Sequence, residues 1–473
     1  MTKWHWYMRG TIYPHRADIG QLGIFKYGKY NLIPITSDLY INEGSRMWWA
    51  WDVAQITKLG NAILKQCKTK SGVAKHVNKL IALLSKAIES ADIFKQGDLT
   101  KLSDKELAGQ YQLLYKDNLE THGILNEDVD AFDVVFDNFL QTELRRYVNL
   151  AGDKFISVYK DLSTPCHTSY LQQQNYDTAK LYLNSKGQSE TVDILHNEYW
   201  WTSMGWESMK PHSKGYFMHQ VKTMNRVLAT RIINDYKKQA ALVAKQRRRL
   251  LRQYKLPRQF SRWLWVLDKY AYLHDCRKEM QVKTMYAYHL ILLETAKRLK
   301  IKESDLEWLF HNEVAGLLKG KRLNKKLIAD RKISVTSQVT SKKIIINEGN
   351  KAHRIKIKSL NLDRKNITLV KGLAVTAGLV HGRALVCQGA KEAISKVKQG
   401  DILICPMTLP DYLPAMKMAK AIVTDEGGLT CHAAIIAREL GKVCIVGTKE
   451  ATRVFKTGDL VEVDANRGVI RKL

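Results

Sequence analysis

Between residues 73 and 88, Val73, Val77, Leu80, Ile81, Leu84 and Ile88 recur at intervals of three and four. That spacing lays one apolar stripe along an α-helix. Ser103-Asp104-Lys105-Glu106 marks the start of another. It is a capping box: the Ser103 hydroxyl accepts from the Glu106 N–H and the Glu106 carboxylate reaches back. Leu107, Tyr111 and Leu114 carry the apolar face onward. Ala240, Val243, Ala244, Leu250, Leu251 and Tyr254 predict a further long helix, broken by Pro257, with Lys245, Arg247, Arg248, Arg249 and Arg252 on its other side. Met285, Tyr288, Leu292, Ala296 and Leu299 predict one more, so residues 61–318 read as a helical domain. Residues 1–60 differ. They are rich in aromatics, and the weak alternation from Gly20 to Ile41 predicts short strands or an irregular aromatic lid. Tyr199-Trp200-Trp201 and Trp206 form an aromatic cluster, read first as a core plug and second as a stacking wall for a flat ligand.

Residues 319–371 read as a basic connector, with Lys and Arg dominating and period-2 stretches at Ile344-Ile345-Ile346 and Ile355-Lys356-Ile357. Beyond Lys371 the composition turns to Gly, Ala and Val, and residues 372–473 carry 14 basic and 10 acidic side chains, a net +4. The whole chain has 76 Lys and Arg against 46 Asp and Glu, so +26 of its +30 lies upstream of that boundary. A basic surface draws nucleic acid, phosphorylated ligands or acidic partners without dictating fold. With 45% hydrophobic residues, dominant disorder is excluded. No run of roughly 18 apolar residues occurs, so no membrane helix is expected, and the Met1-Thr2-Lys3-Trp4 start lacks a signal-peptide core. The seven cysteines are scattered, without a C-x-x-C pair. They are expected to be reduced and buried, in a cytoplasmic protein.

Candidate chemistry lies at residues 427–447, G-G-L-T-C-H-A-A-I-I-A-R-E-L-G-K-V-C-I-V-G. Ala419–Thr424 predicts a short buried strand, Gly427-Gly428 a tight turn with positive φ available, and Thr430 an N-cap. A helix is expected from Cys431 to Leu440, stopped by Gly441, then a strand over Val443–Val446. His432 thereby sits in the first turn of a helix beside a glycine loop. First-turn N–H groups have no intrahelical acceptor and the dipole there favours an anion. Imidazole is a competent nucleophile near neutral pH. A phosphoryl group on His432 would therefore meet unpaired backbone donors.

This stretch resembles the phosphohistidine signature of the phosphoenolpyruvate-utilising enzymes, among them phosphoenolpyruvate synthase, pyruvate phosphate dikinase and rifampin phosphotransferase. Similarity extends through Gly372–Gly382, Gly400–Pro406, Thr408-x-Pro410-Asp411, and Gly458-Asp459 to Val469-Ile470. The resemblance implies a swivelling β/β/α phosphohistidine domain over residues 372–473, behind a mainly α-helical N-terminal body. It implies that His432 carries the phosphoryl group. Gly427, Gly428, Thr430, Cys431, Thr408 and Arg438 would be the phosphate-loop residues and their neighbours, with no metal ligands. Lys442-Val443 replaces the usual Ile-Pro after the helix, which alters the turn into the next strand and not the loop. Arg277-x-Glu279 and Asp305–Glu313 look like helical segments that precede this domain in rifampin phosphotransferase.

No segment resembles the ATP-grasp nucleotide domain of the dikinases, and Gly316–Lys321 is too short for a P-loop. The expectation is a phosphotransferase subunit that is incomplete alone. A separate ATP-grasp nucleotide-binding protein would supply Mg2+ and ATP or phosphoenolpyruvate, and residues 61–318 would bind a small-molecule acceptor or partner. The alternative is a non-catalytic module, its swivelling domain retained, that binds nucleic acid or an acidic protein.

Overall fold

The computed structural model describes the chain except residues 1–3, 10–13, 44–45, 151, 185–187, 206–208, 360–367, 409–411 and 429–430. Its described strands fall into two sheets. The first holds β1 (Trp4–Arg9), β2 (Asp38–Glu43), β3 (Arg46–Asp52), β4 (Val335–Val339) and β5 (Ile344–Glu348), in the order β1-β3-β2-β4-β5 and antiparallel throughout. Part of the basic stretch after residue 319 thus adds two strands to a sheet begun by the first 52 residues, with Asp38 opposite Val339 and Asn42 opposite Val335.

A helix, Pro14–Tyr27, occupies sequence that alternation assigned to strands. Its Gly23 serves an approach between helices. A Cβ at Gly23 would lie 2.8 Å from the Leu119 carbonyl oxygen, and one at Gly123 would lie 2.2 Å from that of Gly23. Small residues let two backbones touch, and a propensity reading takes the same residues for turns.

Four long helices belong to the body, and three of them, Lys70–Gln96, Asp104–Arg145 and Arg258–Leu299, pack on one another, the fourth being Arg226–Gln253. The capping box forms at Ser103, whose Oγ accepts from Glu106 N at 3.2 Å while Glu106 Oε2 accepts from Ser103 N at 2.8 Å. Trp200 and Trp201 are buried against Val282 and Tyr286 as core, and Trp206 lies outside the described residues. On Arg226–Gln253 the basic face is exposed at Lys245, Arg248, Arg249 and Arg252. Arg247 departs from that pattern. It is buried and forks onto Asp268 at 2.8 and 3.0 Å, with further bonds to the Leu162 and Thr164 carbonyls. A charge-run reading cannot see that one member of the run turns inward. No helix of the described residues is long and apolar enough to cross a membrane.

The second sheet comprises β6 (Leu369–Lys371), β7 (Leu373–Thr376), β8 (Leu379–Val386), β9 (Ile402–Cys405), β10 (Ala421–Thr424), β11 (Val443–Val446), β12 (Leu460–Asp464) and β13 (Val469–Lys472). Their order is β6-β13-β12-β8-β9-β10-β11-β7, and β8 to β11 run parallel. Both faces of the parallel strands are covered. Ile402, Ile404, Ala421 and Val423 face one cluster, while Leu403 and Ile422 face another that includes Ala433 and Ala437. This two-sided burial explains the short, continuously apolar strands.

Asp38 is the buried acid of the first sheet. It accepts from Gln21 Nε2 at 2.7 Å and Trp49 Nε1 at 2.8 Å, and burial pushes its carboxyl up to about 8. An acid that stays protonated in the folded state but ionises when unfolded costs stability as pH rises from the unfolded pKa near 3.9 to the folded value. Urea unfolding should therefore show wild-type stability falling between pH 5 and pH 8. Asp38→Asn, which cannot titrate and whose amide Gln21 can turn to meet, should lose about 2–3 kcal/mol less over that interval. Equal slopes in the two proteins would refute the assignment.

Candidate active site

The loops that follow β9 and β10 leave the C-terminal ends of adjacent parallel strands, the place where open α/β sheets bind ligands. Backbone bonds tie the two loops together: Asp425 N donates to Cys405 O at 3.2 Å and Glu426 N to Pro406 O at 2.8 Å. Side chains pin the second loop further. Thr424 Oγ1 donates to Glu426 O at 2.6 Å. The Asp425 carboxylate accepts from Thr448 Oγ1 at 2.9 Å and Thr452 N at 3.2 Å, and also from the Thr452 hydroxyl. Burial raises the Asp425 carboxyl, and these donors oppose that rise.

This zipping brings Thr408 on the first loop to His432 on the second. Thr408 Oγ1 lies 2.8 Å from His432 Nδ1, and Thr408 is buried. His432 is the first residue of the helix His432–Glu439. The N-cap position falls on Cys431, one residue later than the sequence indicates, and the Cys431 side chain makes no capping hydrogen bond. Thr430 lies outside the described residues. Burial pushes the Cys431 thiol up, against the Ala433 and Ala434 N–H groups and Arg438, which act the other way.

Gly427 turns with φ +113°, where a Cβ would stand 2.6 Å from Cys431 Sγ. Gly428 meets something different. A Cβ there would come 3.2 Å from Asp137 Oδ2, a carboxylate of the helical body. Arg438 sits in the last turn of the short helix, half-buried beside Cys431 and Cys444, and burial lowers its pKa. The structure therefore groups His432, Thr408, Gly427 and Cys431, sets Gly428 against the body, and leaves Arg438 two turns along the helix.

Sequence reasoning missed Asp137. Its signal was present as Glu127, Asp128, Asp130, Asp133 and Asp137, a run of closely spaced acids of which Glu127, Asp128 and Asp130 are buried. Asp137 accepts from Tyr159 Oη at 2.5 Å and Gln141 Nε2 at 2.8 Å.

Comparison with known proteins meets this geometry at the same residues. Positions 397–468 match the family model described as PEP-utilising enzyme, mobile domain. The C-terminal domain is a mobile domain of the PEP-utilising enzymes. Over 104 residues it is 58% identical to phosphoenolpyruvate synthase of Pyrococcus furiosus, an overlap of 22% of this chain and 13% of that protein. A probable phosphoenolpyruvate synthase of Archaeoglobus fulgidus is 56% identical over 102 residues (22% and 13%). Phosphoenolpyruvate synthase of Aquifex aeolicus is 47% identical over 113 residues (24% and 13%). The chain thus spans about an eighth of the length of these curated relatives. Among solved structures, aconitase X of Thermococcus kodakaraensis overlays with a TM-score of 0.19 at 21% identity, covering 22% of this chain and 98% of that one. An Enzyme I structure overlays with a TM-score of 0.18 at 14% identity, covering 70% and 79%. Both overlays are too weak to bear on the fold.

The turn geometry of the mobile domain yields a direct test. Gly427→Ala should cost about 1–3 kcal/mol, because it combines a left-handed φ with a clash on Cys431 Sγ. Chemical denaturation of the full chain would measure it, and an unchanged midpoint would refute the turn geometry.

Proposed function

We propose that this chain is the phosphoryl-carrying component of a phosphotransfer system, with His432 as the carrier. The supporting observation is the Thr408–His432 hydrogen bond at the mouth of the zipped loops. If Nδ1–H donates to Thr408 Oγ1, the lone pair stands on Nε2. That nitrogen would then take the phosphoryl group, and Thr408 would stabilise the charge that the ring gains. The first N–H groups of the His432–Glu439 helix supply dipole and donors on the same side.

In this reading a separate ATP-grasp protein holds ATP, or phosphoenolpyruvate, with Mg2+, and charges His432. Magnesium would offset phosphate charge while the nucleotide is bound. Among the described residues no group of three or more His, Cys, Asp or Glu is arranged to hold a metal ion. The mobile domain then delivers the phosphoryl group to a small-molecule acceptor.

The exposed cations of Arg226–Gln253 favour an acidic-faced donor protein. They also keep open a second reading, a nucleic-acid-binding module. Nucleic acid should then be recovered with the chain and be lost steeply as salt rises. Recovery of an acidic nucleotide-binding protein at low salt favours the first.

Labelling separates carrier from scaffold. With donor present, the wild-type chain should acquire an acid-labile, alkali-stable phosphate. His432→Ala should acquire none while still unfolding cooperatively, at a cost of about 1–3 kcal/mol for leaving the buried Thr408 hydroxyl without its partner. Thr408→Val, which keeps shape and removes the hydroxyl, should slow labelling roughly fivefold, the worth of one hydrogen bond. Undiminished labelling of His432→Ala would overturn the assignment.

A further inference from the structure

The Arg226–Gln253 helix has two unlike faces. Ala229, Arg247 and Leu250 are buried, and the helix packs on the Tyr170–Asn184 and Gly152–Ser163 helices. On the other face Arg231, Lys238, Lys245 and Arg252 recur at intervals of seven, and all four are exposed. Seven residues make about two turns and a rise of about 10 Å, so these cations stand in one straight row. Val227 and Leu242, each four residues from a member of the row, fall in the same stripe and are 81% and 61% exposed.

Among the described residues no carboxylate pairs with any of the four, whereas Arg247 on the buried face takes Asp268. Asp235 is the one acid of the helix. Lys245 and Arg249 stand four apart, as do Arg248 and Arg252, and like charges at that spacing repel. A facing row of anions relieves the repulsion. The stripe also belongs to the part of the body that meets the carrier loop. Tyr159, on the Gly152–Ser163 helix, donates to Asp137, and Asp137 Oδ2 is the atom that a Cβ on Gly428 would meet at 3.2 Å.

We propose that this stripe is the docking surface for an acidic amphipathic helix of the donor protein. The inference rests on His432 being a carrier charged by a separate protein. Carboxylates of the partner, recurring every seven residues, face the four cations, and its apolar side chains cover Val227 and Leu242. Apolar groups set between the cations suit a protein and offer nothing to a phosphate backbone. Nucleic acid fits less well in two further ways. A duplex groove admits a helix that stands free, and this one lies against two others. A single strand stacks on aromatic side chains, and Tyr236, the one aromatic residue of the helix, is bonded to Thr168 and Gln173 and stacked on Tyr176 at 4.2 Å. A second copy docked stripe to stripe would set cation against cation.

Two helical peptides of the same composition serve as probes. In one, glutamates and leucines each recur at intervals of seven, and in the other their order is scrambled. Fluorescence anisotropy with the unphosphorylated full chain should show saturable binding of the patterned peptide, and binding of the scrambled one roughly tenfold weaker or worse. Lys238→Glu/Lys245→Glu should weaken the patterned peptide roughly tenfold or more. Val227→Ser/Leu242→Ser should weaken it roughly fivefold. All four side chains are exposed, so these variants keep the fold. No saturable binding, equal binding of the scrambled peptide, or indifference to either double substitution would each overturn the proposal. Tighter binding of a duplex or single-stranded RNA, lost steeply with salt and by Lys238→Glu/Lys245→Glu, would overturn it in favour of nucleic acid. Failure of phosphoramidate to charge His432 would instead overturn the carrier reading. The binding measurement would still decide the surface, since it needs no phosphate.

Discussion

Everything about the site depends on one short hydrogen bond, Thr408 Oγ1 to His432 Nδ1 at 2.8 Å. Two residues 24 positions apart can meet this way only because their strands are parallel neighbours. Their loops then leave the same sheet edge and are laced by the Asp425–Cys405 and Glu426–Pro406 backbone bonds. The bond fixes the plane of the imidazole, and it gives the two ring nitrogens different tasks. The fold therefore presents an oriented ring at a helix N-terminus.

The rest of the C-terminal domain maintains that presentation. Strands buried on both faces are stiff, and apolar side chains pack against them from above and below. Asp425 sits just past β10, buried and satisfied by threonines from the far side of β11. Gly427 supplies a left-handed backbone angle where its Cα lies close against Cys431. On the other side of the junction the body contributes a carboxylate, and the Tyr159 and Gln141 bonds keep it in place.

Local signals were legible in the sequence. The Gly427-Gly428 turn, the helix starting near His432 and the Ser103 capping box each depend on residues within a few positions of one another. The boundary error at the helix start is of that local kind, Cys431 for Thr430. What escaped depends on partners far along the chain. The helix Pro14–Tyr27 was read through weak alternation as strands or a lid because the use of Gly23, contact with Gly123, is a hundred residues away. Arg247 seemed exposed because Asp268 and the Leu162 carbonyl, which draw it inward, lie on other helices. Asp137 gains its meaning only from Gly428, nearly three hundred residues later. The period-2 stretch Ile344–Ile346 does lie in β5, but nothing nearby named the first sheet as its destination, and Ile355–Ile357, read the same way, lies in the helix Gly349–Ser359.

The central claim is that Nε2 of His432 carries the phosphoryl group while Nδ1 is held by Thr408. Phosphorus-31 and nitrogen-15 magnetic resonance of the full chain, charged with phosphoramidate and labelled in its histidines, reads this directly. The account predicts one phosphohistidine signal, absent from His432→Ala, with phosphorus coupled to Nε2. Coupling to Nδ1, or a phosphohistidine signal that survives in His432→Ala, would contradict it.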